Sequence, residues 1–157
     1  MAAADVDERL GPLVGVALGV SGWVTLDQAT IDAHAEVTGD ADWLHNDPAR
    51  AAADGPFGGS IAQGSLLIGN LVRLQEQVLS ALDAPDVAYA LNYGFDRIRF
   101  VTPVPAGGRI RAHLRIEEVR TRDDGARVLV MAVELELEGA SRPAMVATWL
   151  GLVQPAG

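Results

Sequence analysis

The sequence predicts an α+β fold in which a strongly curved antiparallel β-sheet wraps one long apolar helix. Three observations lead there. The first half of residues 61–82 is apolar around most of a helical circumference, residues 109–116 and 129–138 alternate with period two, and Asp123-Asp124-Gly125 between those two runs is a hairpin signal.

Taken in chain order, residues 14–25 mix apolar residues with Gly and β-branched types and read as a first strand. Residues 27–37 lack Gly and Pro and set Ile31, His34, Ala35 and Thr38 at three- and four-residue spacings, so they predict a helix that Gly39 stops. Residues 39–59 carry two Pro-bearing turns and several Gly, which suits a turn-rich segment lying over the core. In the helix predicted over 61–82, Ile61, Leu66, Leu67, Ile68, Leu71 and Val72 cover most of the circumference, so it must be surrounded, and charge returns only at Arg73 and Glu76. Beyond Pro85, residues 87–93, 97–101 and 145–153 read as strands. Ile110, Ala112, Leu114 and Ile116 oppose Arg109, Arg111, His113 and Arg115, and Leu129, Met131, Val133, Leu135 and Leu137 oppose Glu134, Glu136 and Glu138. Each run is a half-buried strand, and the turn between them pairs them antiparallel. A helix wrapped by such a sheet is the hot-dog architecture.

No repeat, low-complexity tract or linker divides the sequence, so residues 1–157 are expected to form a single domain. A net charge of −9 opposes binding to nucleic acid, because the field repels a polyanion. There is no Cys, and all 12 basic residues are Arg, which excludes disulfides, thiolate chemistry and a Schiff-base lysine. Asp5, Asp7 and Glu8 ahead of the first apolar run oppose a secretory signal, and residues 55–72, though uncharged, are too rich in Gly and polar groups to span a bilayer. A cytoplasmic location without membrane contact is expected.

The densest group of reactive side chains runs from Thr38 to Pro48 and holds Asp40, Asp42, His45 and Asp47. Residues five apart on a regular helix lie about 140° apart, so Asp40 and His45 can address one atom only from an irregular loop, which Gly39 and Pro48 favour. Asp47 before Pro48 suits a turn or helix cap, and Trp43 suits packing of the loop. A single His with no Cys fits no common zinc spacing, so neither a metal nor another cofactor is expected.

Gly39-Asp40-x4-His45-x-Asp47-Pro48, followed by Pro56-Phe57-Gly58-Gly59-x-Ile61-Ala62-x-Gly64, resembles the signature of the MaoC-like, (R)-specific enoyl-CoA hydratase family. Trp43-Leu44-His45, Asn92-Tyr93-Gly94 and Arg97-Ile98-Arg99-Phe100 with Pro103-Val104-Pro105 resemble its nodulation-protein-N-like branch. The resemblance implies addition of water to a trans-2-enoyl-CoA to give an (R)-3-hydroxyacyl-CoA, reversibly. It implies Asp40 and His45 as the catalytic acid/base pair, with the assignment of acid and base open. It implies the Gly64 backbone N–H as the donor to the thioester oxygen, with Gly59, Ser65 and Asn92 as further substrate-binding residues, and at least a homodimer. Gln63 stands where many members carry His, Asp42 where many carry Asn, and Trp43 where Pro is common. Asp42 either faces away from Asp40 or tunes the pair. His34 and His113 read as structural or solvated, and Arg109, Arg111 and Arg115 as an exposed face that could also meet coenzyme A phosphates. Two other functions stay open: a hot-dog acyl-CoA thioesterase, and a non-catalytic acyl-thioester-binding protein.

Overall fold

In a computed structural model that describes residues 2–80 and 87–156, the chain runs α1 (Ala2–Leu10), a 3-10 turn (Gly11–Leu13), β1 (Ala17–Val20), β2 (Val24–Leu26), α2 (Gln28–Thr38), α3 (Trp43–Asn46), α4 (Pro48–Asp54), α5 (Gly64–Leu79), β3 (Val87–Phe100), β4 (Gly108–Thr121), β5 (Arg127–Leu137) and β6 (Met145–Pro155). The strands form one antiparallel sheet ordered β1-β4-β5-β6-β3, with β2 also paired to β4. This is the hot-dog arrangement the periodicities predict.

The alternation sorts side chains as expected. Ile110, Ala112, Leu114, Ile116, Leu129, Met131, Val133, Leu135 and Leu137 join Leu66, Leu67, Leu71, Leu74 and Val78 of α5 in one core, together with Trp149. Phe95 stacks on Trp149 with ring centroids 5.5 Å apart. In the β4–β5 hairpin, Gly125 adopts φ 83°, a left-handed conformation that favours Gly, and Asp124 Oδ1 accepts from Ala126 N.

Several elements differ from the sequence expectation. The predicted strand over 14–25 is two short strands, because Ser21 turns out of the ladder: its hydroxyl accepts from Ala112 N and its N–H donates to Ala112 O. The runs 87–93 and 97–101 are one strand, β3, whose register shifts between Asn92 and Gly94 and between Phe95 and Arg97 absorb the irregular residues as bulges. The helix predicted over 61–82 starts at Gly64, since Ile61 N donates to Leu44 O and Ala62 N to Val104 O; its expected end at 82 lies outside the described residues. The segment read as turns holds two helices, α3 and α4, capped by Asp42 and Asp47.

One physical expectation is corrected as well. Helix α5 is not surrounded in a single copy: Ser65, Gly69, Val72 and Glu76 lie on an open stripe, and Val72 is 56% exposed. The buried face carries Leu66, Leu67, Leu71, Leu74 and Val78. Helix α1, which no periodicity announced, buries Val6 and joins Asp7 to Arg127 through bonds of 2.6 and 2.8 Å.

Candidate active site

The reactive segment hangs between the end of α2 and the start of α5. Helix α2 opens on Asp27, whose carboxylate accepts from Thr30 N at 2.9 Å, and closes on Gly39 in the left-handed region (φ 76°). Asp40 follows at once, exposed, outside any helix. Asp42 then caps α3 by accepting from Leu44 N at 2.9 Å, and this one-turn helix carries His45. Asp40 therefore lies on irregular chain as expected, whereas His45 sits on a short helix.

The half-buried imidazole of His45 is oriented by backbone. Its Nδ1 lies 2.7 Å from Ile61 O. A carbonyl oxygen only accepts, so Nδ1 carries the proton and, in the neutral ring, Nε2 is left as an acceptor. Ile61 N in turn donates to Leu44 O at 3.1 Å, so residues 44–45 and 61 are joined in both directions.

Two residues on, Gln63 is fully buried and its Nε2 donates to Ile31 O at 3.2 Å and to Asp40 O at 3.3 Å. Residues 61–63 thus hold the imidazole of His45 and the backbone of Asp40, and Gly64 opens α5 directly afterwards. Gln63 is the N-cap of α5 without a side-chain cap bond, and its carbonyl accepts from Leu66 N and Leu67 N. The N–H groups of Gly64 and Ser65 have no acceptor among the described residues. Such free N–H groups at a helix start are polarised to stabilise negative charge. Donors of this kind suit chemistry on a carbonyl compound that passes through an enolate.

The model of the MaoC like domain matches residues 11–138. The chain belongs to this MaoC-like family. It is 37% identical over 154 residues to nodulation protein N of Rhizobium leguminosarum bv. viciae, covering 98% of this chain and 92% of the relative. It is 40% identical over 138 residues to 3-hydroxyacyl-thioester dehydratase Z of Mycobacterium tuberculosis, covering 88% of this chain and 89% of that one. The crystal structure of the MaoC-like dehydratase from Rhodospirillum rubrum superposes with a TM-score of 0.70 over 92% of this chain and 94% of that one, at 16% identity.

In this MaoC-like chain the remaining sequence-predicted residues fall in distinct places. Ser65 is exposed on the first turn of α5, and its Oγ lies 2.8 Å from His34 Nε2, which gives His34 a partner the sequence did not name. Gly59 lies in the turn ahead of the buried Ser60. Asn92 sits on β3, and its Oδ1 accepts from the indole of the buried Trp149 at 2.7 Å. Asp42 and Asp47 spend their carboxylates on helix caps, Asp47 accepting from Arg50 N at 3.0 Å, and Trp43 lies under the Arg50 guanidinium at 4.4 Å. The arginine face is engaged by acids: Arg109 with Glu138 at 2.7 Å, Arg111 with Glu136 at 2.6 Å and Arg115 with Glu117 at 3.0 Å. Arg111, and then His113, hold the Glu136 carboxyl below its ordinary range.

Gln28 and Gln63 are the residues that sequence reasoning did not place as positioning groups. Gln28 Nε2 donates to His45 O and to Asp32 Oδ1, both at 2.8 Å, while its Oε1 accepts from Ser60 Oγ. A groove of about 470 Å³ over β1, β4, β5, β6 and β3, lined in part by Arg97, His113, Arg115 and Glu134, shares no residue with the Asp40–His45–Gly64 set. The groove is an open sheet face, whereas residues 61–63 bond the imidazole of His45 and the backbone of Asp40 directly ahead of the free N–H groups of α5.

Proposed function

We propose that this chain, with residues 1–157 working as one unit, is a hydro-lyase that adds water to a trans-2-enoyl-CoA and gives an (R)-3-hydroxyacyl-CoA, reversibly. The observation that carries the reading is the bond from His45 Nδ1 to Ile61 O, three residues before α5 opens, which leaves Nε2 as an acceptor. The MaoC-like family and the similarity to a dehydratase of 3-hydroxyacyl thioesters support it.

Asp40 and His45 bind one water between them. As its oxygen bonds to Cβ, the pair removes a proton and electron density moves onto the thioester oxygen, where the Gly64 N–H meets it. Return of that proton to Cα completes addition of one H₂O and regenerates the pair. His45, whose Nε2 accepts in this tautomer, fits the base. Ser65 and Gly59 lie beside this path and contact the thioester arm; Asn92 contacts it from β3.

The active unit is at least a homodimer. A single copy leaves Val72 on α5 56% exposed, and Leu91 and Phe100 on the edge strand β3 56% and 54% exposed, so a second copy gives the acyl-thioester arm an enclosed path.

Purified protein is expected to consume the conjugated absorbance of crotonyl-CoA without releasing free thiol. Asp40→Ala and His45→Ala each lower turnover by about 10²–10⁴-fold with the fold intact. Thiol release in place of hydration makes the protein a thioesterase, and binding with neither reaction makes it a carrier.

A further inference from the structure

Asp40 and His45 both lie on chain with little local support. Asp40 follows the end of α2, and its own N–H reaches Thr38 Oγ1 only at 3.4 Å. His45 is on a four-residue helix, far shorter than a helix that holds itself in water. Beyond the bond from His45 Nδ1 to Ile61 O, what ties the backbone carbonyl of each to the body of the protein is a side-chain amide. Gln63, at 0% exposure, donates to Asp40 O, and Gln28 donates to His45 O. The two amides come from opposite ends of the site, Gln28 from the first residue of α2 and Gln63 from the cap of α5. Gln63 also donates to Ile31 O, so it fastens α2 and the Asp40 loop to the same point.

Stability alone does not account for glutamine at 63. Its Oε1 is buried without a partner among the described residues, a cost that an apolar side chain of similar length does not carry. What glutamine adds is an NH₂ group with two donors for two carbonyls. A carboxylate in the same place would set negative charge against both carbonyl oxygens.

Resting on the hydratase reading above, we propose that Gln63 and Gln28 are positioning residues that set the separation of Asp40 from His45 through their backbone carbonyls. A displacement of about 1 Å in such a pair costs on the order of 10²-fold in rate. Neither amide bonds Gly64 or Ser65 at the start of α5, so the loss falls chiefly on kcat.

The test compares wild type with Gln63→Met and Gln28→Leu, measuring kcat and KM on crotonyl-CoA together with the melting temperature. Expected are a loss in kcat of about 10–100-fold, a KM within about twofold of wild type, and for Gln63→Met a melting temperature equal to or above wild type. A merely structural role instead lowers the melting temperature and leaves kcat in the folded fraction unchanged, which overturns the proposal. Should Gln63→Met not fold, Gln63→Glu serves: its neutral carboxyl can donate to Asp40 O and its carboxylate cannot, so activity rises as pH falls relative to wild type, and a pH profile parallel to wild type overturns the proposal. An inactive wild type defeats the hydratase reading by itself. Amide hydrogen exchange across residues 40–46 then decides the positioning role, faster exchange in both variants supporting it and unchanged exchange overturning it.

Discussion

The ring of Phe100 occupies the space into which a side chain on Gly64 would grow: an ideal Cβ there lies 2.7 Å from both Cε2 and Cζ. A side chain at the start of α5 therefore needs this half-exposed ring to move, independently of any closeness to substrate. The last residue of β3 is thereby packed against the first residue of α5.

Gly64→Ala is expected to push this ring aside. In a helix Gly→Ala gains about 0.5–1 kcal/mol, and displacing the half-exposed Phe100 ring offsets that gain. With Phe100 present the gain is reduced or lost; in a Phe100→Ala background the same change becomes more favourable. Urea denaturation of the four proteins measures the coupling, and an equal effect of Gly64→Ala in both backgrounds removes Phe100 as its cause.

The Asp7–Arg127 pair makes stability depend on acid. The hydrogen bond from Arg127 holds the Asp7 carboxyl below its ordinary value of 3.8. The folded-state value is the depressed one, so the contribution is fully present above pH 3.8 and is lost as pH falls through the lower folded-state value. Because the Asp7 side chain is 50% exposed, solvent screens the pair and the effect is modest. Asp7→Asn should melt below wild type at neutral pH and converge with it in strong acid. Parallel melting curves across that range would show that α1 is held by its apolar contacts alone.

How much of this was legible beforehand follows from how local each cause is. Helix α2 is read correctly because its cap Asp27 and its stop Gly39 adjoin it, and the β4–β5 hairpin because Gly125 lies in the turn itself. The segment over 39–59 misleads because Asp-Pro serves equally as a turn and as a helix start, and here Pro48 opens α4. The Asp40–His45 spacing is visible in the sequence, but what holds it is not: Gln63 reaches Asp40 across 23 residues and Gln28 reaches His45 across 17. The open face of α5 is missed for another reason: a count of its apolar residues passes over Ser65, Gly69 and Glu76, which share that face with Val72.

Asn92 separates packing from ligand binding. Its Oδ1 accepts from Trp149 Nε1, and Trp149 is 2% exposed. Asn92→Ala strands a buried indole N–H and should cost about 1–3 kcal/mol, while Asn92→Asp keeps an acceptor and recovers most of that stability. If the role is packing only, both variants retain the wild-type KM for crotonyl-CoA; a rise in KM in both, with Asn92→Asp stable, assigns the remaining Nδ2 group to substrate.

The edge strand β3 exposes Tyr89 at 52% and Leu91 at 56%, and such a strand with apolar side chains is a template for pairing unless something covers it. A lysine at position 91 adds the charge that edge strands use to refuse partners, without disturbing the β6 ladder on the other side, where Leu91 pairs with Leu152. Leu91→Lys is therefore expected to fold with a wild-type far-ultraviolet spectrum but to shift from dimer to monomer in light scattering at micromolar concentration. On the proposed dimeric reading, turnover per chain should fall in step with the dimer fraction. A fully active Leu91→Lys monomer would mean that one chain builds the whole site, and a wild type that scatters as a monomer would mean the same.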